Sequence, residues 1–308
     1  MRHLFLINPT AGRSDRSEEI ARQAAQFCAE LGEPCDIQIS ACAGDIRRLA
    51  QRAGQTGQEI RLYACGGDGT LNEAVAGAAD FENLSVTCYP CGSGNDYIKQ
   101  FNRPELFFDL KNFAQGKTDR VDLIDVGGNY AVNVCSVGFD ARIGTAIDAY
   151  RRLPLLSGPR AYHASVAANL IKGVAKPCRV ELEEGTVVEG DLTLVCVCNG
   201  SWYGGSYHPV PEASIQDGML DVLVVRRVSR LTVARVIAAY QQGRYAEYPQ
   251  LISHFRTRSL HITTPTVEPV NLDGELLRSR DVTIKVLPQK LRFFAPAAAW
   301  KASGRQNG

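Results

Sequence analysis

The hydrophobic and polar positions of the first hundred residues fall into alternating short and long periods. Leu4–Ile7 is an apolar run of strand length, closed by the turn Asn8-Pro9-Thr10-Ala11-Gly12. Ile20, Ala24, Phe27, Cys28 and Leu31 then recur at helical spacing, with Gly32 placed as a cap. Asp36–Ser40 reads as strand and Asp45–Ala53 as helix, ending at Gly54. Ile60–Cys65 is strand-like and is broken by Gly66-Gly67-Asp68-Gly69, before a helix over Leu71–Ala79. Leu84–Tyr89 is a fourth strand, followed by Pro90-Cys91-Gly92-Ser93-Gly94 and a short helix from Asn95. Strands alternating with helices predict an α/β domain, a parallel sheet with helices on both faces.

The period changes after Asn102-Arg103-Pro104. Strand-like runs dominate from Arg120: Val121–Val126, Tyr130–Val137, Arg179–Leu182, Leu192–Cys198, Met219–Val225, Leu260–Thr264, Val267–Leu272 and Val282–Leu287. Only Ala161–Val174 and Leu231–Gly243 read as helical. This predicts a mainly antiparallel β-sandwich as second domain. The division expected is 1–118 and 119–290, with the segment 291–308 packing back on the first domain.

Composition narrows the function. The 308 residues carry 34 Lys+Arg against 33 Asp+Glu, a net charge of +1, so the basic excess of a nucleic-acid binder is missing. No apolar stretch reaches the length of a signal peptide core or a membrane span, and a cytoplasmic chain is expected. Ten scattered cysteines form no disulfide framework, and Cys88-Tyr89-Pro90-Cys91 lacks a second pair to complete a zinc site. The five histidines show no ligand spacing and no neighbouring nucleophile signature.

Three glycine-rich turns, 8–12, 66–70 and 92–96, lie at the ends of predicted strands. In an open parallel sheet such ends share one rim, where glycine lets backbone N–H groups approach an anion. The turns predict a phosphate-bearing ligand, yet they match neither the Walker P-loop nor a complete dinucleotide fingerprint, since position 97 is Tyr. Asp68 would repel phosphates unless Mg²⁺ or a hydroxyl proton lay between them, which points to metal–nucleotide phosphoryl transfer.

Taken in order, Asn-Pro-Thr-Ala-Gly at 8–12, GGDGTLNE at 66–73, GSGND at 92–96, RVDLIDV at 120–126, NVCSVGFDA at 133–141, DGMLD at 217–221 and LDGE at 272–275 resemble the diacylglycerol kinase catalytic-domain family. That family includes bacterial lipid kinases and the sphingosine and ceramide kinases. The resemblance implies an NAD kinase-like first domain and a lipid kinase that moves the γ-phosphoryl group of Mg-ATP to a lipid hydroxyl at the cleft between the domains. It implies ATP contacts from Asn8, Pro9, Thr10, Ala11, Gly12, Gly66, Gly67, Asp68, Gly69, Thr70, Leu71 and Asn72, with further contacts at Ser40 and Ser93, where the usual Thr is missing. Asp122 would reach the nucleotide's Mg²⁺ through water, and Ser214, Asp217 and Met219 would hold a structural Mg²⁺. Asp273 and Glu275 form the acid–base candidate, on one face of a strand because they are two residues apart, and Asp68 is a competing base. The resemblance also implies a lipid partner, transient contact with a membrane surface and a possible homodimer.

The residues themselves leave alternatives. Asp273-Gly274 and Asp217-Gly218 read equally as turn dipeptides. Arg226, Arg227, Arg230 and Arg235 are a solvated face or a patch for anionic headgroups. NAD kinase shares GGDGT, although its GSTAY-type motif is missing here, and a non-catalytic nucleotide or lipid sensor could use the same fold.

Overall fold

Four strands of the first hundred residues pair in parallel: β1 (Arg2–Ile7), β2 (Cys35–Ile39), β3 (Ile60–Gly66) and β4 (Leu84–Pro90). β2 and β3 flank β1, and β4 pairs with β3. The computed structural model describes residues 1–92, 94–139, 141–142, 175–205 and 207–300. All seven residues of β4 are buried, which is why LSVTCYP shows no alternation. Parallel neighbours require crossovers, supplied by α1 (Ser17–Leu31), α2 (Asp45–Gln55) and α3 (Asp68–Ala78). α1 buries Ile20, Ala24, Phe27 and Cys28 and stops at Gly32, whose φ of +66° frees its N–H for the Ala29 carbonyl.

Two local readings need correction. α3 begins at Asp68 rather than Leu71, because Gly67 is extended (φ −99°, ψ −167°) and serves as N-cap, so Asp68-Gly69-Thr70 is its first turn. The helix expected from Asn95 is a short 3₁₀ turn over Tyr97–Gln100, since Asn95 stands at φ +49°. An aromatic core lies under the sheet, with Phe5 stacked on Tyr63 at 4.2 Å and Phe107, Phe113, Phe293 and Phe294 fully buried. Each such side chain contributes roughly 1.5–3 kcal/mol by leaving water.

The later strands are β5 (Gly116–Val126), β6 (Asn129–Ala131), β7 (Val134–Gly138), β8 (Lys176–Leu182), β9 (Val187–Cys198), β10 (Leu220–Arg226), β11 (Ile252–Thr257), β12 (Ser259–Leu272) and β13 (Glu275–Pro296). Six of them run in the order β11-β10-β9-β7-β12-β13, each antiparallel to its neighbour, with β5, β6 and β8 paired off this path. The end of β13 pairs parallel to β4 at Phe293 and Val86. The strand expected over Tyr130–Val137 is two strands, because the N–H groups of Val132 and Asn133 bond a side chain instead of a neighbouring strand. In β9, Val195 and Val197 enter one apolar cluster and Leu194, Cys196 and Cys198 another. Both faces are buried, which explains the unbroken run LTLVCVC. α4 (Arg230–Gln241) brings Val236 and Tyr240 to the second cluster. The helix expected over Ala161–Val174 lies outside the described residues.

Cα proximity divides the chain into two units. One comprises Met1–Leu123, Gly204–Ser206 and Pro288–Gly308, the other Ile124–Tyr203 and Tyr207–Leu287. Among the described residues no helix is long and apolar enough to cross a membrane.

Candidate active site

The carboxyl ends of β1, β3 and β4 bring the three glycine turns into contact. Asn8 donates its Nδ2–H to Thr70 Oγ1 at 2.9 Å, while its Oδ1 accepts the Thr10 N–H at 3.0 Å. The N–H groups of Cys91 and Gly92 both reach the Gly66 carbonyl, at 2.8 and 3.3 Å. Side chains are excluded where the turns cross. A Cβ on Gly12 (φ +85°) would stand 2.6 Å from the Cys91 carbonyl oxygen, and one on Gly92 would stand 2.5 Å from Gly67 Cα. Gly69, by contrast, faces open space. Ser40 is buried just past β2, its N–H on the Ile7 carbonyl at 2.9 Å, so it belongs to the same sheet edge. Leu71 points into the core, leaving only its backbone for a ligand. Ser93 lies outside the described residues.

Asp68 opens α3 and accepts the N–H groups of Asp96 and Tyr97 on one oxygen, at 2.6 and 3.2 Å. Burial first, and the Asp96 carboxylate second, push its carboxyl above the usual range, against the pull of those two amides and Lys99. Asp96 is itself held by Lys99 Nζ at 2.6 Å and by the Gly205 N–H at 2.6 Å, and Lys99 also donates to the Gly205 carbonyl. Both Asp96 oxygens are therefore taken, whereas Asp68 Oδ2 accepts no hydrogen bond among the described residues and is the carboxylate oxygen open to a hard cation. The positive N-terminal end of α3 suits phosphate. Asn72 Oδ1 and Asn95 Oδ1 are buried acceptors with no hydrogen-bond partner among the described residues. An unmet buried acceptor costs about 1–3 kcal/mol, which a hydroxyl, amino or water donor of a bound nucleotide would recover. The residues present fit Mg-ATP.

Asp122 is fully buried, and its Oδ1 accepts the N–H of Gln289 at 2.7 Å, steadying a residue at φ +52°. In the second unit Asp273 and Gly274, at φ +49° and +99°, are the central pair of the hairpin between β12 and β13. Asp273 is therefore in the turn and not on the strand, so the expected sharing of a strand face with Glu275 does not hold. Its carboxylate accepts the N–H groups of Val132 (2.5 Å), Asn133 (3.0 Å) and Val134 (2.8 Å). Glu275, the first residue of β13, is exposed.

Residues 2–126 match the sequence model of the Diacylglycerol kinase catalytic domain, and residues 133–295 match that of the YegS C-terminal NAD kinase beta sandwich-like domain. The chain belongs to the diacylglycerol kinase family. It is 27% identical over 286 residues to a probable lipid kinase YegS-like of Shewanella frigidimarina, covering 89% of both chains. It is 25% identical over 280 residues to a diacylglycerol kinase of Bacillus subtilis, covering 88% of each. A crystal structure of a putative diacylglycerol kinase from Bacillus anthracis superposes with a TM-score of 0.75, at 23% identity and over 96% of this chain and 97% of that one. The protein is an ATP-dependent lipid kinase with a two-domain, strand-rich architecture.

Asp96, Lys99 and Gly205 form the hydrogen-bonded surround of Asp68, which reading the sequence missed. Asp96 closes GSGND and could have been taken with Asp68 as a carboxylate pair; Gly205 carries no local signal, because it arrives from a distant segment. In the loop before β10, Ser214 Oγ accepts the Gln216 N–H at 3.3 Å and Asp217 Oδ1 accepts the Met219 N–H at 3.1 Å. Asp217 Oδ2 takes an N–H from Arg256.

Proposed function

We propose that the chain transfers the γ-phosphoryl group of Mg-ATP to the hydroxyl of a diacylglycerol-type lipid. The observation that carries this reading is the meeting of three glycine turns beside the carboxylates of Asp68 and Asp96. Relatives named diacylglycerol kinase support the acceptor class. Bound Mg-ATP supplies the phosphoryl group and the cation that neutralises its charge. The first-turn N–H groups of α3, Asp68 to Thr70, hold the phosphates, enclosed by the turns at 8–12 and 66–72, with Ser40 and Ser93 as further contacts. Asp68 holds the cation side through Oδ2, while Asp122, fully buried and bonded to the Gln289 N–H, steadies that backbone rather than reaching the cation as expected. Glu275 accepts the proton of the attacking hydroxyl, because it is exposed while Asp273 spends its oxygens on three amides.

Exposed Arg226 and Arg227 beside β10 suit a transient contact with anionic headgroups. Arg227 pairs with Asp191 at 2.9 Å, but an exposed pair is worth only about 0–1 kcal/mol and yields readily to a lipid phosphate. The test is radiolabelled ATP with Mg²⁺ and mixed vesicles carrying diacylglycerol, phosphatidylglycerol, a sphingoid base or a prenyl alcohol. Label should appear in phosphatidic acid. Label in another lipid would move the acceptor, and label in NADP alone, when NAD is offered, would overturn lipid phosphorylation.

A further inference from the structure

The ladder between β10 and β11 sets Asp221 opposite Arg256 and Leu223 opposite His254. Asp221 is only 2% exposed, and a carboxylate withdrawn from water needs donors or opposite charge. His254 Nε2 stands 2.8 Å from Asp221 Oδ1, and Arg256 Nε stands 3.5 Å from the same oxygen. The far end of that guanidinium, Nη2, reaches Asp217 Oδ2 at 2.5 Å. One planar fork thus joins the carboxylate of the loop to the buried carboxylate of the strand that follows it. The loop's other end is tied as well. Tyr245 donates its hydroxyl to Glu212 and lies 3.1 Å from His254 Nδ1.

This arrangement does not fit the structural Mg²⁺ expected at Ser214, Asp217 and Met219. A hard cation would need an Asp217 oxygen facing it, at about 2.0–2.6 Å. Oδ1 faces the Met219 amide and Oδ2 faces Arg256, so a divalent ion on either would displace a donor or sit beside a fixed positive charge. We infer that Arg256 takes the place of the loop cation, and that the Asp217–Arg256–Asp221 bridge fastens the 214–219 loop to the β10–β11 ladder without metal. The inference rests on the second unit alone and does not depend on the acceptor proposed above.

Thermal melting of the full chain without nucleotide, in EDTA and in millimolar Mg²⁺, tests it. The wild-type curves should coincide. Arg256→Gln and Asp217→Asn should each melt roughly 2–4 °C lower in both buffers, with the double variant little lower than either. A Mg²⁺-dependent rise that persists in Asp217→Asn arises elsewhere and also supports the bridge. A rise in the wild type that Asp217→Asn abolishes, or an Arg256→Gln variant melting like wild type, would overturn it. Should Arg256→Gln fail to fold, the wild-type and Asp217→Asn curves still decide.

Discussion

At the scale of single residues, the hairpin turn separates two carboxylates that the sequence leaves equivalent. Asp273 meets three backbone N–H groups and Glu275 meets solvent. Replacing Asp273 by Asn sets an NH₂ group against amide donors, and each donor left unmet costs about 1–3 kcal/mol. Asp273→Asn should therefore lower the melting temperature. Glu275→Gln should melt as wild type while kcat falls roughly 10²–10⁴-fold. If Glu275→Gln keeps full turnover and Asp273→Asn loses it without melting earlier, the proton acceptor is Asp273.

At the scale of elements, α2 and α3 touch where neither has a side chain to spare. A Cβ on Gly77 would lie 2.3 Å from the Arg47 carbonyl oxygen and 2.8 Å from Ala50 Cβ. Glycine to alanine in a helix interior ordinarily gains about 1 kcal/mol, and overpacking costs about 1–3 kcal/mol. Contact with backbone cannot be relieved by a rotamer, so the cost wins. Gly77→Ala should lose stability in urea, whereas Gly69→Ala, in the same helix but facing open space, should not. Element boundaries followed the same logic of neighbours. Ile252–Thr257 was not legible as a strand because Ser253, His254 and Arg256 interrupt its apolar pattern, yet it pairs with β10 along six residues.

At the scale of the whole molecule, a buried imidazole ties stability to pH near neutrality. His3 is fully buried, with Nε2 2.5 Å from Glu33 and Nδ1 3.1 Å from the Tyr63 hydroxyl. Burial outweighs the attraction of Glu33 and holds the imidazole below its ordinary value of 6.5, so it is neutral at neutral pH. Tyr63 stays protonated because burial raises its phenol, and it donates to Nδ1. The folded chain thus binds this proton less readily than the unfolded one. Its contribution to stability is complete above the unfolded value and is lost as pH falls through the folded one. Melting temperature should drop between neutral pH and about pH 5, and His3→Phe should flatten that profile. A wild-type profile already flat there would refute the neutral imidazole.

The sequence by itself determined the strand–helix alternation of the first hundred residues and the three glycine turns, because apolar period and glycine's conformational freedom act over a few residues. It also carried the family, through motifs that stand whole within such short stretches. What those stretches bond to was decided by the tertiary structure. Asp273 lies 141 residues from Val132, Gly205 lies 109 from Asp96, and Arg256 lies 39 from Asp217. Sheet register places Asp273 and Arg256, and register belongs to two strands at once rather than to either sequence alone, while Gly205 meets Asp96 from a loop far along the chain. An aspartate that reads as a base can therefore become a fastener of backbone, and a loop that reads as a metal site can be closed by an arginine.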